Sequence, residues 1–311
     1  MAMKKTGNLP KAAQVIEELR PGQSIELLKE LHILTREGKL NQDTRRKLKQ
    51  VYHLYQFIEP LLDDVSAVSA SGRGFTLADH GAGKSYLGFI LYDLFFNAAH
   101  RGEKTGGPMG HIYGIETRAE LVEKSRVLAG RLGFANMSFL NLSVQQATLS
   151  AELPQTVDIV TALHACDTAT DDAIAFGLAK NARHMVLVPC CQAEVAGVLK
   201  KSRALNLAKT PLAELWRHPL HTREFGSQIT NVLRCLQLEA SGYQVTVTEL
   251  VGWEHSMKNE LILASRPATP NAATTRAAQT RLREVLAELG LGELAKRFSV
   301  VTGLVQVENK V

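Results

Sequence analysis

Long apolar runs are missing from this 311-residue chain. None reaches the roughly 18 residues that span a bilayer, and the start MAMKKTGNLPKAAQ lacks the apolar core of an export signal. A cytoplasmic protein with no membrane partner is expected. Cysteine is scarce as well. Cys166, Cys190, Cys191 and Cys235 are not spaced as a disulfide framework, and a chain of this size does not depend on one. Reduced thiols follow. No internal repeat occurs, and neither charge sign dominates: 36 Lys and Arg stand against 31 Asp and Glu, a formal charge of +5. Such a surplus leans only weakly toward a polyanionic partner. What is present is an ordinary globular composition, 45% apolar and 22% charged, long enough for one large α/β domain with additions or for two domains.

Three regions differ in pattern. Over residues 1–70, apolar positions fall at helical spacing, as in Val15, Ile16, Leu19 and then Ile25, Leu27, Leu28, Leu31, with Pro21-Gly22 as a break. A further helix is expected through TRRKLKQVYHLYQFIEPLLDDV. Over 71–266 the pattern becomes β-rich runs, GFTLAD, HIYGIET, MSFLNLS, VDIVTALHA, HMVLVPC, YQVTVTELV and ELILAS, with helix patterns between most of them. Strand, helix, strand in alternation specifies a parallel sheet covered on both faces. The last two runs are separated only by GWEHSMKN, too short for a helical crossover, so they are expected to pair antiparallel. In 267–311, PATPNAATTRAAQT reads as a linker and RLREVLAELGLGELAKRF as a short amphipathic helix.

The first β-rich run leads into DHGAGKSYLGFIL, whose Gly83-Lys84-Ser85 looks like a phosphate loop. That loop needs a glycine five positions before Gly83, and the residue there is Ala78. The alternative is the first strand-to-helix turn of a Rossmann-like sheet, where glycines permit a tight turn and a ligand lies over the carboxyl ends of the strands. Glu116, closing HIYGIE, stands where an acid accepts ribose hydroxyls. The separation from Asp79 exceeds the roughly 20 residues of the dinucleotide fingerprint, and the glycine-rich insertion HRGEKTGGPMG accounts for it. Asp79 itself would repel a pyrophosphate but holds a positively charged amino group, as in the methionine part of S-adenosylmethionine.

The order of elements, the Asp-x-Gly-x-Gly turn, the acid after the second strand and the final antiparallel pair resemble the class I S-adenosylmethionine-dependent methyltransferases. More narrowly, GAGKSYLGFIL, LHACDTATD, VPCCQ and EHSMKNELI resemble a bacterial branch with those blocks in that order, related to tRNA-modifying methyltransferases with a Cys-Cys-His motif. The resemblance covers about residues 45–265. It implies an α/β fold with a Rossmann-like seven-stranded, mostly parallel sheet whose last strand is antiparallel, flanked here by an N-terminal helical cap and a C-terminal helical extension. It also implies Asp79, Gly81, Gly83 and Lys84 at the methionine end of the cofactor, Glu116 on the ribose, and Ser143, Val144 and Gln145 near the adenine, although the usual acid after the third strand is missing. Lys84 and Ser85 would then open the helix facing the methionine carboxylate, and no metal is called for.

Polar residues close two otherwise apolar strands. His164, Cys166, Asp167 and Thr168 follow DIVTAL, at the end that faces the ligand crevice. Asp167 and His164 are the candidate proton acceptors, with His164 also near the cofactor; Asp167, Thr168, Thr170 and Asp171 serve equally as caps of the following helix. Cys190 and Cys191 close HMVLVP. They read as a covalent nucleophile, as ligands of a metal that two adjacent cysteines suit badly, or as small pocket-shaping residues. Gln192, Arg223, Arg234, Trp253, Glu254, His255, Lys258 and Asn259 would rim the acceptor side, Trp253 stacking on a base and Lys258 meeting phosphate, unless the hairpin is simply solvated. The run Arg45, Arg46, Lys47, Lys49 is either a solvated helix or an RNA grip. The expected activity is methylation of RNA. A small-molecule or protein methyltransferase, a non-catalytic S-adenosylmethionine-binding module and, least, a P-loop NTPase are the alternatives.

Overall fold

The computed structural model describes residues 18–20, 22–69, 74–97, 110–163, 167–189, 192–202, 209–250 and 260–300. All seven expected strands form: β1 (Thr76–His80), β2 (His111–Glu116), β3 (Met137–Asn141), β4 (Ile159–Leu163), β5 (His184–Val188), β6 (Gln244–Glu249) and β7 (Glu260–Ser265). They make one sheet in the order β3-β2-β1-β4-β5-β7-β6, with β7 antiparallel to both neighbours and the rest parallel. The order reverses between β1 and β4, which opens the crevice at their carboxyl ends.

Helices precede and connect these strands: α1 (Ile25–Glu30), α2 (Gln42–Ser69), α3 (Tyr86–Leu91, continued by one wider turn over Tyr92–Phe96), α4 (Ala119–Leu132), α5 (Val144–Leu149), α6 (Thr168–Ala179), α7 (Glu194–Ser202), α8 (Pro219–Ala240) and α9 (Ala272–Glu288). Local chemistry sets several ends. Ser24 caps α1 by accepting from Leu27 N–H, Ser143 and Gln146 form a reciprocal capping box on α5, and α4 stops at Gly133, whose φ is 71°.

Strand alternation divides the sheet into two apolar faces. Leu77, Ile112, Ile159, Val186, Val188 and Leu261 meet the buried side of α2 and α3. Ala78, Val160, Met185, Leu187, Ile262 and Ala264 meet Ile174 and Phe176 of α6 and Leu238 of α8. The N-terminal helices are therefore a layer of the domain core: Tyr55, Ile58 and Leu62 of α2 are almost wholly buried, and Asp64 reaches Arg183 at 2.7 Å and His184 at 2.9 Å on β5.

At the other end, most of the segment that composition marks as linker is helix. Asn271 caps it by accepting from Ala273 and Thr274 N–H, and its alanines favour helix once a cap is present. Leu282 and Leu286 of α9 bury against Leu233 and Leu236 of α8. Among the described residues no helix is long and apolar enough to cross a membrane.

Candidate active site

The turn after β1 is built by backbone that only certain residues adopt cheaply. Gly81 (φ 63°) and Gly83 (φ 58°) take left-handed conformations, and Ser85 takes one too (φ 50°). Ala82 N–H donates to Ile115 O at 3.1 Å and Gly83 N–H to Glu116 Oε2 at 2.8 Å, so the turn is strapped to the end of β2. The helix starts at Tyr86 with Ser85 as its N-cap, so Ser85 stands at the helix opening and Lys84 lies in the turn before it. Lys84 moreover lines a neighbouring cavity, beside Glu120 and Glu123.

Asp79 shares a sheet face with Leu77 and is paired in register with Thr161 of β4. Thr161 Oγ1 donates to Asp79 Oδ1 at 2.7 Å, and Gly88 N–H also donates to the carboxylate. Burial pushes this carboxyl up to about 7 against those two bonds. No cation lies within ion-pair reach of it among the described residues, yet it lines a cavity of about 550 Å³ together with Gly81, Ala82 and Gly83. A buried, uncompensated carboxylate beside a glycine cradle fits an ammonium group. His80, on the opposite face, packs edge-on against Phe176, and burial pushes its imidazole down to about 3, so it stays neutral.

Glu116 is 6% exposed and already engaged. Burial alone would raise its carboxyl, but hydrogen bonds from the Arg118 side chain and backbone and from Gly83 N–H hold it at about 2. Arg118 Nε and Nη2 lie 3.0 and 3.1 Å from the two oxygens, and Nη2 is 3.7 Å from where a Gly83 side chain would begin. Arg118 thus lies folded over the turn, where a ribose bound to Glu116 would sit. Its role was missed in the sequence, where nothing distinguishes an arginine two positions after an acid.

Around β4 and β5 a second set of groups converges. Asp167 has φ 49° and ψ −118°, an uncommon conformation for a residue with a side chain. Its carboxylate does not cap α6. It accepts instead from Ala193 and Glu194 N–H at 3.1 and 3.4 Å, across the crevice at the start of α7. Arg234, grouped by sequence with the rim, is fully buried: Nε donates to Asp171 Oδ1 at 2.6 Å, and Nη2 to Asp171 Oδ2 at 3.0 Å and to Asp167 O at 2.8 Å. Position 234 faces inward on α8, so its charge finds Asp171 instead of solvent. Gln192 bridges Asn231 Oδ1 at 2.9 Å and Ser227 Oγ at 2.5 Å, and Asn231 Nδ2 reaches Glu260 at 2.6 Å. Gln192, Ser227, Asn231 and Glu260 border a cavity of about 390 Å³. Ser227, Asn231 and Arg234 recur at four and three residues along α8, a polar stripe in phase with its inward face, and that spacing was the available signal.

Other expected residues lie apart. Ser143, Val144 and Gln145 form the start of α5, beyond β3, and do not line the 550 Å³ cavity. Arg223 is exposed and pairs with Glu224 at 3.1 Å. His164, Cys166, Cys190, Cys191, Trp253, Glu254, His255, Lys258 and Asn259 fall outside the described residues. Among the described residues, no group of three or more His, Cys, Asp or Glu is placed to hold a metal.

Residues 46–198 match a family model described as a methyltransferase domain. No curated protein matches the sequence. Among solved structures, the fold is similar to a magnesium protoporphyrin IX methyltransferase from Synechocystis PCC 6803 with bound S-adenosylhomocysteine (14% identity, 78% of this chain and 93% of that one, TM-score 0.44). It is also similar to an rRNA methylase from Streptococcus thermophilus (8% identity, 62% and 87%, TM-score 0.39) and to fibrillarin from Aeropyrum pernix with natively bound S-adenosyl-L-methionine (13% identity, 64% and 72%, TM-score 0.34). At these scores none of them bears on the acceptor. Over residues 46–198 the chain is thus similar to a methyltransferase domain.

Proposed function

We propose that the methyl acceptor is RNA and that the acceptor atom meets the cofactor between the ends of β4 and β5. The observation that carries this reading is the polar cavity where the amides of Gln192, Gln228 and Asn231 stand beside the carboxylates of Glu224, Glu249 and Glu260, a mixture of donors and acceptors that suits the edge of a nucleobase. The basic run supports it: Arg45, Arg46 and Lys49 line a shallow hollow on the outer side of α2, where phosphates can be met.

Bound S-adenosylmethionine supplies a methyl group on a positively charged sulfur. Asp79 holds the ammonium of its methionine end, which also favours the ionised carboxylate. Glu116 accepts the ribose hydroxyls once Arg118 releases it. The leucines of the cavity wall, among them Leu54, Leu87 and Leu163, exclude water. Asp167, held by Ala193 and Glu194 N–H and by Arg234, takes the proton of the acceptor as the methyl leaves sulfur. Catalysis then comes mainly from alignment of the two reactants.

The test is transfer of labelled methyl from the cofactor to total RNA by the purified protein and by Asp167→Ala. RNA is expected to be labelled, with the variant at least about 100-fold slower, the usual scale of a lost general base. RNA affinity should fall steeply with salt through counterion release. Labelling confined to small molecules with a flat salt response would establish the small-molecule reading; cofactor binding without transfer to any fraction would establish the binding module.

A further inference from the structure

The cavity beside the glycine turn is closed by a part of the chain that does not belong to the turn. Leu31 follows α1, while Lys47, Gln50, Val51 and Leu54 come from α2 and face Asp79, Gly81, Ala82 and Gly83 across the space. Positions 47, 51 and 54 are four and three residues apart and therefore share one face of α2. The basic run of this helix accordingly splits. Arg45 pairs with Glu18 at 3.0 Å and Arg46 with Asp43 at 3.9 Å on the outer side. Lys47 alone of the four looks into the crevice.

The charged groups lining this cavity are Asp79, Arg118 and Lys47. A methionine end is zwitterionic, so a site that holds its ammonium on Asp79 needs a cation for its carboxylate. Arg118 stands at the ribose end of the cavity, where its two hydrogen bonds place it on Glu116. Lys84, the cation next in sequence to the glycines, lines a different cavity. Lys47 makes no ion pair among the described residues, and its Nζ donates only at 3.4 Å to the carbonyl of His32. That long bond leaves the side chain free to exchange a neutral carbonyl for a carboxylate, a stronger, charge-assisted partner.

We propose that Lys47 of α2 is the counter-cation of the cofactor's α-carboxylate, so that the N-terminal helical layer completes the cofactor site. This rests on the reading of the Asp79 turn as the methionine end.

The experiment compares two ligands by calorimetry on the intact chain: S-adenosylhomocysteine, which has the amino-acid end, and 5′-methylthioadenosine, which has the same adenosine and thioether without it. In Lys47→Gln, the Kd for S-adenosylhomocysteine should rise about 10- to 100-fold, the usual worth of a hydrogen bond between charged groups. The Kd for 5′-methylthioadenosine should stay within about twofold, and Lys47→Arg should recover most of the loss. Arg283→Gln, an exposed residue of α9 that bonds only within its own helix, should change neither. Parallel weakening of both ligands in Lys47→Gln overturns the assignment as general damage, and no change in either overturns it as the wrong residue. If the unaltered protein binds neither ligand, the cofactor-site reading itself fails, a result distinguishable from the other two.

Discussion

Asp79 combines two properties that oppose each other, an acidic group and a buried position. Its carboxyl is buried at 2% exposure, and burial pushes it from 3.8 to about 7. The folded chain therefore holds this proton more tightly than the unfolded chain. Stability from this group is full below about pH 4 and is lost as pH rises to about 7. Asp79→Asn removes that slope. The variant should match the wild type near pH 4 and be more stable at pH 8, with a ceiling of about 4 kcal/mol from roughly 1.4 kcal/mol per pKa unit; melting across pH checks this. The same variant should bind S-adenosylhomocysteine less well, because the ammonium loses its carboxylate. A variant that is no more stable at pH 8 than at pH 4, relative to the wild type, would refute the burial cost. The placement of Asp79, Gly81, Gly83 and Glu116 around one turn was legible in the sequence, since a turn with left-handed backbone beside a strand-end acid demands residue types at short, fixed spacing. Arg118 was not, because its bond to Glu116 depends on a rotamer.

Among the elements, α8 shows how a helix pattern can be read correctly and still mislead. Its Leu233 and Leu236 are buried as the apolar periodicity predicts, but so are Thr230, Asn231 and Arg234. A buried guanidinium is tolerated because Asp171 of α6 meets it with two oxygens, and Asp167 O and Asn231 Oδ1 take two of the three remaining donors. Arg234→Leu would leave the Asp171 carboxylate buried without a partner, so a loss of about 3–5 kcal/mol is expected in urea denaturation. Arg234→Leu combined with Asp171→Leu should recover part of it, since no uncompensated charge remains. A cost under about 1 kcal/mol for the single variant would show that water reaches Asp171. The bond to Asp167 O also restrains the strained backbone of that residue, which links this helix to the crevice.

At the scale of the molecule, the sheet joins what the sequence divides. One apolar cluster runs from Leu27 through Ile58 and Leu62 to Leu77, Ile159 and Val186, so the N-terminal helices and one face of the sheet share a core. Ile58 is 0% exposed. Ile58→Ala should lower stability by about 2–5 kcal/mol and shift the unfolding of the helical layer and the sheet together, as tryptophan-independent probes such as hydrogen exchange would record. Separate unfolding of the N-terminal layer would contradict a shared core.

The alternation of β-rich and helical runs, read along one chain, was enough to determine the seven strands, the parallel sheet and its single antiparallel strand, because hydrophobic periodicity and loop length constrain neighbours in sequence. The left-handed glycine turn after β1 was legible in the same local way. Only the tertiary structure decided that Lys47 faces the crevice while Arg45 and Arg46 turn outward, and that Arg234 is an interior residue. Arg234 and Asp171 are 63 positions apart. A contact at such a separation follows from how helices dock on the sheet and leaves no spacing in a single sequence by which it could be read.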